Sequence, residues 1–185
     1  MFDIYKYVHP DDFFPNADPK FSEIYQSKYH IAGLLRPKSI LEIGVRAGYS
    51  AAAFLSACPD ATYTGLDADI TAHGGVVGYM YFAEEMLKKN FPNNKITIMK
   101  HNTQQNDIPF SKKFDLIHID GDHSEEGALK DLYNCWRLNP KYILIDDVDF
   151  IPEVKIAVYG FLKKMNYENI HIPFGRGDVI IKVSG

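Results

Sequence analysis

The chain has 185 residues, 46% hydrophobic and 24% charged, which suits one globular domain with a sizeable core. Twenty basic against twenty-four acidic residues give a formal charge of −4, which argues against nucleic acid as a main partner, because phosphate binding needs a basic face. Cys58 and Cys135 form no CxxC or zinc-type spacing, so both are expected to be reduced in a cytoplasmic setting. The N-terminus lacks a basic start followed by an apolar core, and no apolar run approaches the roughly 20 residues of a membrane span. No membrane partner is expected.

Residues 1–20 are rich in aromatics, Asp and Pro without a steady period, and read as an irregular arm. Its Phe2, Tyr5, Tyr7, Phe13 and Phe14 argue against a wholly disordered tail. Packing on the domain, capping a pocket and meeting a second subunit of a homodimer all stay open for it. Residues 21–185 are expected to form a single domain. Phe21–Leu35 has helix spacing, and Arg36-Pro37 ends it, because a residue before Pro disfavours the helical region.

Ser39–Ile43 is a short apolar run with Glu42 as its only charge, followed by Gly44, Gly48 and a helix over Tyr49–Cys58. Ala61–Leu66 is a second strand with Asp67 at its end. The segment HGGVVGYM, residues 73–80, reads as a flexible loop, and Tyr81–Asn90 as a helix. Ile96–Met99 is a third strand, and His101–Lys113 a short helix or loop. Phe114–Ile119 is a fourth strand, running into Asp120-Gly121-Asp122-His123. Ser124–Leu138 is a helix, Tyr142–Ile145 a fifth strand ending in Asp146-Asp147, and Pro152–Met165 a helix. Glu168–Ile172 and Asp178–Val183 close the chain as an antiparallel hairpin. Strand and helix alternate throughout, which predicts an α/β fold with a mostly parallel sheet and helices on both faces.

Glu42, Asp67, Asp120 and Asp146 each lie at or beside the C-terminal end of a predicted strand. Parallel strands place those ends along one edge, about 4.8 Å apart between neighbours. Carboxylates gathered there repel one another unless a cation or hydrogen-bond donor intervenes, so a ligand carrying hydroxyls, positive charge or metal is expected. The spacing E-x-G-x-x-x-G is not the dinucleotide G-x-G-x-x-G, and no P-loop lysine follows. A cofactor without phosphate therefore fits the glycine turn better than a phosphate-rich nucleotide. Asp67, some twenty residues after the turn, is placed to accept from two ribose hydroxyls; a helix or turn cap is the other reading. Asp120, Asp146 and Asp147 are hard oxygen donors suited to Mg²⁺ or a similar cation. Asp146 and Asp147 point to opposite faces of an extended strand, so both reach one ion only if the chain leaves the strand just after Ile145. Asp122 with Glu125 fits a capping box in outline, and a catalytic role is the other reading. His123 reads as a general base, a metal neighbour or a surface residue. His73, His101 and Asn102 are placed only by their nearness to strand ends.

With those residues located, the sequence resembles the class I S-adenosylmethionine-dependent methyltransferases. LEIGVRAGYS is similar to their first motif and GLDAD to their acidic second-strand motif. FDLIHIDGDHSEEGALKDL followed by YILIDDVD resembles the small cation-dependent O-methyltransferases, including relatives of macrocin O-methyltransferase. The resemblance implies a Rossmann-like, seven-stranded sheet. It implies that Glu42, Gly44 and Gly48 line the methionine and ribose part of S-adenosyl-L-methionine, with Ser50 among the cofactor-binding residues. It gives Asp67 the ribose hydroxyls, places Asn102 near the adenine, and counts Asp120 with both cofactor and metal. Asp120, Asp146 and Asp147 match the family's metal ligands, and Asp122 matches a position proposed as base in its sugar methyltransferases. His123 and Ser124 depart from the tyrosine often found there. The expected activity is methyl transfer to a hydroxyl of a small molecule, sugar or natural-product-like, with Asp122 or His123 taking the proton. A metal-independent methyltransferase and a non-catalytic binding protein on the same fold are the rival readings.

Overall fold

The structure is a computed structural model that describes residues 2–184. Its centre is a seven-stranded sheet built from β1 (Ser39–Ile43), β2 (Thr62–Asp67), β3 (Ile96–Lys100), β4 (Leu116–Ile119), β5 (Tyr142–Ile145), β6 (Asn169–Ile172) and β7 (Asp178–Lys182). The order across the sheet is β3-β2-β1-β4-β5-β7-β6. The strands β3 to β5 are parallel, whereas β7 runs antiparallel to both β5 and β6. The expected Rossmann-like sheet with its C-terminal hairpin is therefore what forms.

Side-chain alternation divides the interior into two layers. Ile40, Leu116, Leu144 and Ile180 pack on one face with α2 (Phe21–Leu35), α3 (Tyr49–Ala57) and α4 (Tyr79–Asn90). Leu41, Ile43, Ile117, Ile143, Ile145 and Ile181 pack on the other with α5 (Glu125–Arg137) and α6 (Pro152–Met165). The central strands are covered on both sides, which is why they read as near-continuous apolar runs. Helix α2 stops as predicted: Arg36 takes a left-handed φ of 49°, and its N–H bonds to the Ala32 carbonyl just before Pro37. Helix α4 starts at Tyr79, two residues before the predicted Tyr81, because Gly78 (φ 89°) allows the left-handed turn that opens it. No helix forms over residues 101–113.

The arm is packed rather than irregular throughout. It holds a 3₁₀ turn over Ile4–Tyr7 and a short helix α1 over Phe14–Ala17. Phe2 and Ile4 are buried, and the Phe2 ring stacks on Tyr7 and Tyr29. Its second half runs over the edge where the parallel strands end.

Candidate active site

A cavity of about 440 Å³ opens at the C-terminal ends of β1, β2, β4 and β5, the usual place for a ligand in an open α/β sheet. Gly44 shapes its floor. With φ 85°, Gly44 brings β1 so close to the loop after β4 that an added Cβ would lie 1.9 Å from the Asp120 carbonyl oxygen. Asp67 clasps the turn that follows. Its Oδ2 accepts from the Val45 and Arg46 amides at 2.9 and 2.7 Å, and its Oδ1 from the Asp69 amide at 2.7 Å. Asp67 thus lines the cavity while already holding three backbone donors.

Three residues assigned to the cofactor lie elsewhere. Glu42 points to the α3 face of β1 and is buried there, accepting from the Tyr63 hydroxyl and meeting His118 Nδ1 at 2.8 Å. Gly48 caps α3 and faces α4, where a Cβ would meet that of Ala83 at 2.9 Å. Its smallness serves helix packing, not a ligand. Ser50, one turn into α3, is buried and does not reach the cavity. Gly44, Asp67, Asn102 and Asp120 do line it.

The acidic end brings Asp120, Asp146 and Asp147 to the cavity together with His123. The chain does leave the extended form after Ile145, since Asp147 has a φ of 60°. That turn sends the Asp146 and Asp147 side chains to different partners. Asp147 joins Asp120 and His123, and one ligand atom from each lies within 4.8 Å of the others. His123 Nε2 is 3.2 Å from Asp120 Oδ1 and 3.8 Å from Asp147 Oδ2. Asp146 instead bonds the buried Lys28 ammonium at 2.6 Å. Asp120, His123 and Asp147 thus gather as a possible ligand set, and Asp146, which lines the same cavity, has one oxygen paired with Lys28.

The electrostatics follow this division. Burial, reinforced by Asp146 and Asp120, pushes the Asp147 carboxyl up to about 7. Burial opposes ionisation of Asp146 too, but Lys28 and His118 outweigh it and hold that carboxyl below its ordinary value. His123 resists charge because it is buried, yet Asp120 and Asp147 lift it above 6.5. Asp122 is not the cap of α5. Ser124 is, accepting from the Gly127 amide at 3.1 Å. Asp122 Oδ1 accepts from the Ser124 amide and hydroxyl at 2.8 and 2.6 Å, and lies 3.5 Å from His73 Nε2. Burial disfavours its charge, but those Ser124 bonds keep its carboxyl low.

Two arginines hold the roof. Arg46 makes a bidentate pair with Asp12 of the arm at 2.6 and 2.7 Å and donates Nε to the Gly74 carbonyl. Arg176, in the β6–β7 turn, pairs with Asp18 at 2.6 Å and reaches Asp147 at 3.5 Å. Both guanidinium groups lie over the Phe14 ring, at 5.3 and 4.9 Å from its centre. The arm therefore caps the pocket, one of the roles left open by its sequence.

Sequence reasoning passed over Lys28 and His118. Each carried a signal. Lys28 falls on the apolar stripe of α2 between Ile24, Tyr25, Ile31 and Ala32, and His118 interrupts the run FDLIHI. A charged residue on a buried stripe needs a partner, and here the partners are the site's own acids.

A family model described as a methyltransferase domain matches residues 41–148. No curated protein matches the chain in sequence. Among solved structures, the S-adenosylhomocysteine-bound methyltransferase PaMTH1 of Podospora anserina aligns at a TM-score of 0.70 and 17% identity, covering 98% of this chain and 92% of that one. An O-methyltransferase of Bacillus cereus in complex with S-adenosylhomocysteine aligns at 0.66 and 14% identity, over 98% of this chain and all of its own. The O-methyltransferase TomG of Streptomyces achromogenes, in complex with S-adenosylmethionine, aligns at 0.60 and 16% identity over the whole of both chains. At these identities the likeness speaks for the fold. Among the described residues, no helix is long and apolar enough to cross a membrane. The matched segment takes in the end of β1, the acidic strand ends and the turn after β5, so the chain belongs to the methyltransferase domain family.

Proposed function

We propose that the chain is an S-adenosylmethionine-dependent O-methyltransferase that acts on a hydroxyl of a small molecule, sugar or natural-product-like, with a divalent cation. The observation that carries this reading is the cavity itself: a backbone-walled pocket between Gly44 and Asp67 that continues without a break to Asp120, Asp122 and Asp147. Three structures of this fold in complex with S-adenosylmethionine or its product support the cofactor. Bound there, the cofactor supplies a methyl group activated by a sulfonium.

In this reading Gly44 and Asp67 form the wall at the ribose end, and Asn102 lies toward the adenine. Asp120, His123 and Asp147 would hold the cation, which supplies the charge that lowers the pKa of an acceptor hydroxyl. Two carboxylates with one imidazole shift the preference from Mg²⁺ toward a first-row ion such as Mn²⁺. With His123 turned to Asp120 and Asp147, Asp122 is left as the proton acceptor at the cavity wall. Phe13, Phe14, Phe150 and Arg176 wall the acceptor end. Much of the rate then comes from positioning. The enzyme is expected to work in the cytoplasm, without nucleic acid or membrane; a homodimer is compatible with this reading.

Titration calorimetry with S-adenosylhomocysteine tests the proposal. One site per chain with an affinity on the order of micromolar is expected; no measurable heat in folded protein overturns it. Full transfer activity in excess EDTA overturns the cation part alone.

A further inference from the structure

Asp131 on α5 is wholly buried, and its carboxylate lies beneath the loop that follows β4. A β-carbon on Gly121 would stand 2.8 Å from its Oδ2. Its Oδ1 accepts from Gln104 Nε2 at 3.0 Å, and that nitrogen also donates to the Gly127 carbonyl at 3.3 Å. Asp131 is not part of the cavity wall, but Gln104, in the loop after β3, is. The backbone N–H of Gln104 donates to Asn102 Oδ1 at 2.8 Å, so the two side chains belong to one turn.

Both groups that meet Gln104 Nε2 are acceptors. Burial pushes the Asp131 carboxyl up to about 6, so at pH 8 it is a carboxylate and only accepts. A flipped amide would set Gln104 Oε1 against a carboxylate and a carbonyl oxygen and leave all three without a donor. The amide is therefore oriented from below. Its two Nε2 protons are spent inside the protein, and Oε1 is the end left for a ligand. Asn102 works in the opposite sense, because its Oδ1 is taken by Gln104 and the Nδ2 donors remain. An acceptor and a donor two residues apart match the edge of a 6-aminopurine, whose amino group donates and whose ring N1 accepts. A 6-oxopurine has the same two positions with the roles reversed.

We propose that Asp131 is a positioning residue: by holding Gln104 Nε2 it keeps Oε1 for the base of a bound nucleoside, and so selects an adenosyl over an inosyl cofactor. The proposal rests on the cofactor part of the function above, and not on the cation part. The alternative is that Asp131 only fills the space under Gly121, in which case its loss weakens both ligands alike and leaves their ratio where it was.

Titration calorimetry at pH 8, with the full chain, compares S-adenosylhomocysteine with S-inosylhomocysteine, in which the purine amino group is replaced by an oxo group. Wild-type protein is expected to bind the adenosyl compound at least about tenfold more tightly, because the inosyl base sets an acceptor against Oε1. Asp131→Asn and Asp131→Ser can each offer Gln104 a donor or an acceptor, so the amide is free to turn, and the ratio should fall by about threefold or more. Gln104→Leu removes the amide and should lower the ratio as far. A smaller wild-type ratio, or a ratio unchanged in either folded Asp131 variant or in Gln104→Leu, overturns the proposal. If neither Asp131 variant folds, the wild-type and Gln104→Leu ratios still decide. Folded wild-type protein that binds neither compound sinks the cofactor reading and this proposal with it, whereas binding of both without preference sinks this one alone.

Discussion

Gly44 and Asp120 meet backbone to backbone, and the contact leaves no room for a side chain: a β-carbon on Gly44 would stand 1.9 Å from the Asp120 carbonyl oxygen. Two obstacles coincide there, since the φ of 85° is also one that L-residues avoid. Gly44→Ala is expected to cost ~3 kcal/mol or more in urea unfolding, because neither backbone can move without opening the β1–β4 register. Gly33→Ala on α2 is the matched control. Nothing lies within 4 Å of its added carbon, and it should stabilise by ~0.5–1 kcal/mol through helix propensity. Equal effects at the two glycines would show that the close approach is not what demands Gly44.

The arm is held to the site by Asp12, whose carboxylate takes both Arg46 nitrogens and the Tyr49 hydroxyl at 2.6 to 2.7 Å. Asp12→Asn breaks the ion pair and leaves Arg46 half-buried among rings. A loss of ~2 kcal/mol is expected in thermal unfolding, together with faster proteolytic cleavage within residues 8–20. Asp3→Ala, at an exposed cap, should change neither. An arm equally resistant to protease in Asp12→Asn would mean that the apolar contacts of Phe2 and Ile4 are enough.

Ser124 and Asp122 can be separated by experiment. Ser124→Ala removes the N-cap of α5 and should cost ~1 kcal/mol. Asp122→Asn keeps an acceptor for the Ser124 amide and should cost less than half of that, while lowering transfer more than Ser124→Ala does. The reverse order of stabilities would restore Asp122 as the cap that its spacing to Glu125 suggests.

His118 ties stability to pH. Burial disfavours its charge, but Glu42 at 2.8 Å outweighs burial and raises the imidazole above its ordinary 6.5. A raised basic group contributes stability that is full below its unfolded pKa and lost as pH rises through the folded one. Burial also raises the Glu42 carboxyl above 4.5, which acts in the same direction. The melting temperature should therefore fall as pH rises above the ordinary histidine value of about 6.5, and His118→Gln should flatten that fall. Parallel melting curves for the two proteins across this range would remove His118 as the cause.

Strand and helix were legible because their periods are local. Ser39–Ile43, Tyr142–Ile145 and the stripe of α5 declare themselves within a few residues. The gathering of Asp67, Asp120 and Asp146 at one edge was legible too, because parallel strands leave no other place for their C-terminal ends. Asp146 and Asp147 were not separable by that logic, since adjacent acids look alike until the backbone turn between them is known. Glu42 misled for a related reason. It ends near the pocket in sequence, yet the pleat turns it to the opposite layer, where Tyr63 and His118 hold it.

By itself, then, the sequence determined the winding of the sheet, the glycine turn at Gly44 and the edge on which the acids collect, because each follows from short-range periodicity and from strand direction. Only the tertiary structure decided how the acids at the cavity are paired. Asp146 pairs with Lys28, which lies 118 residues before it in the chain, and Asp147 is reached by Arg176 from the far hairpin. A buried charge selects its partner by proximity in space, and no local pattern encodes that distance.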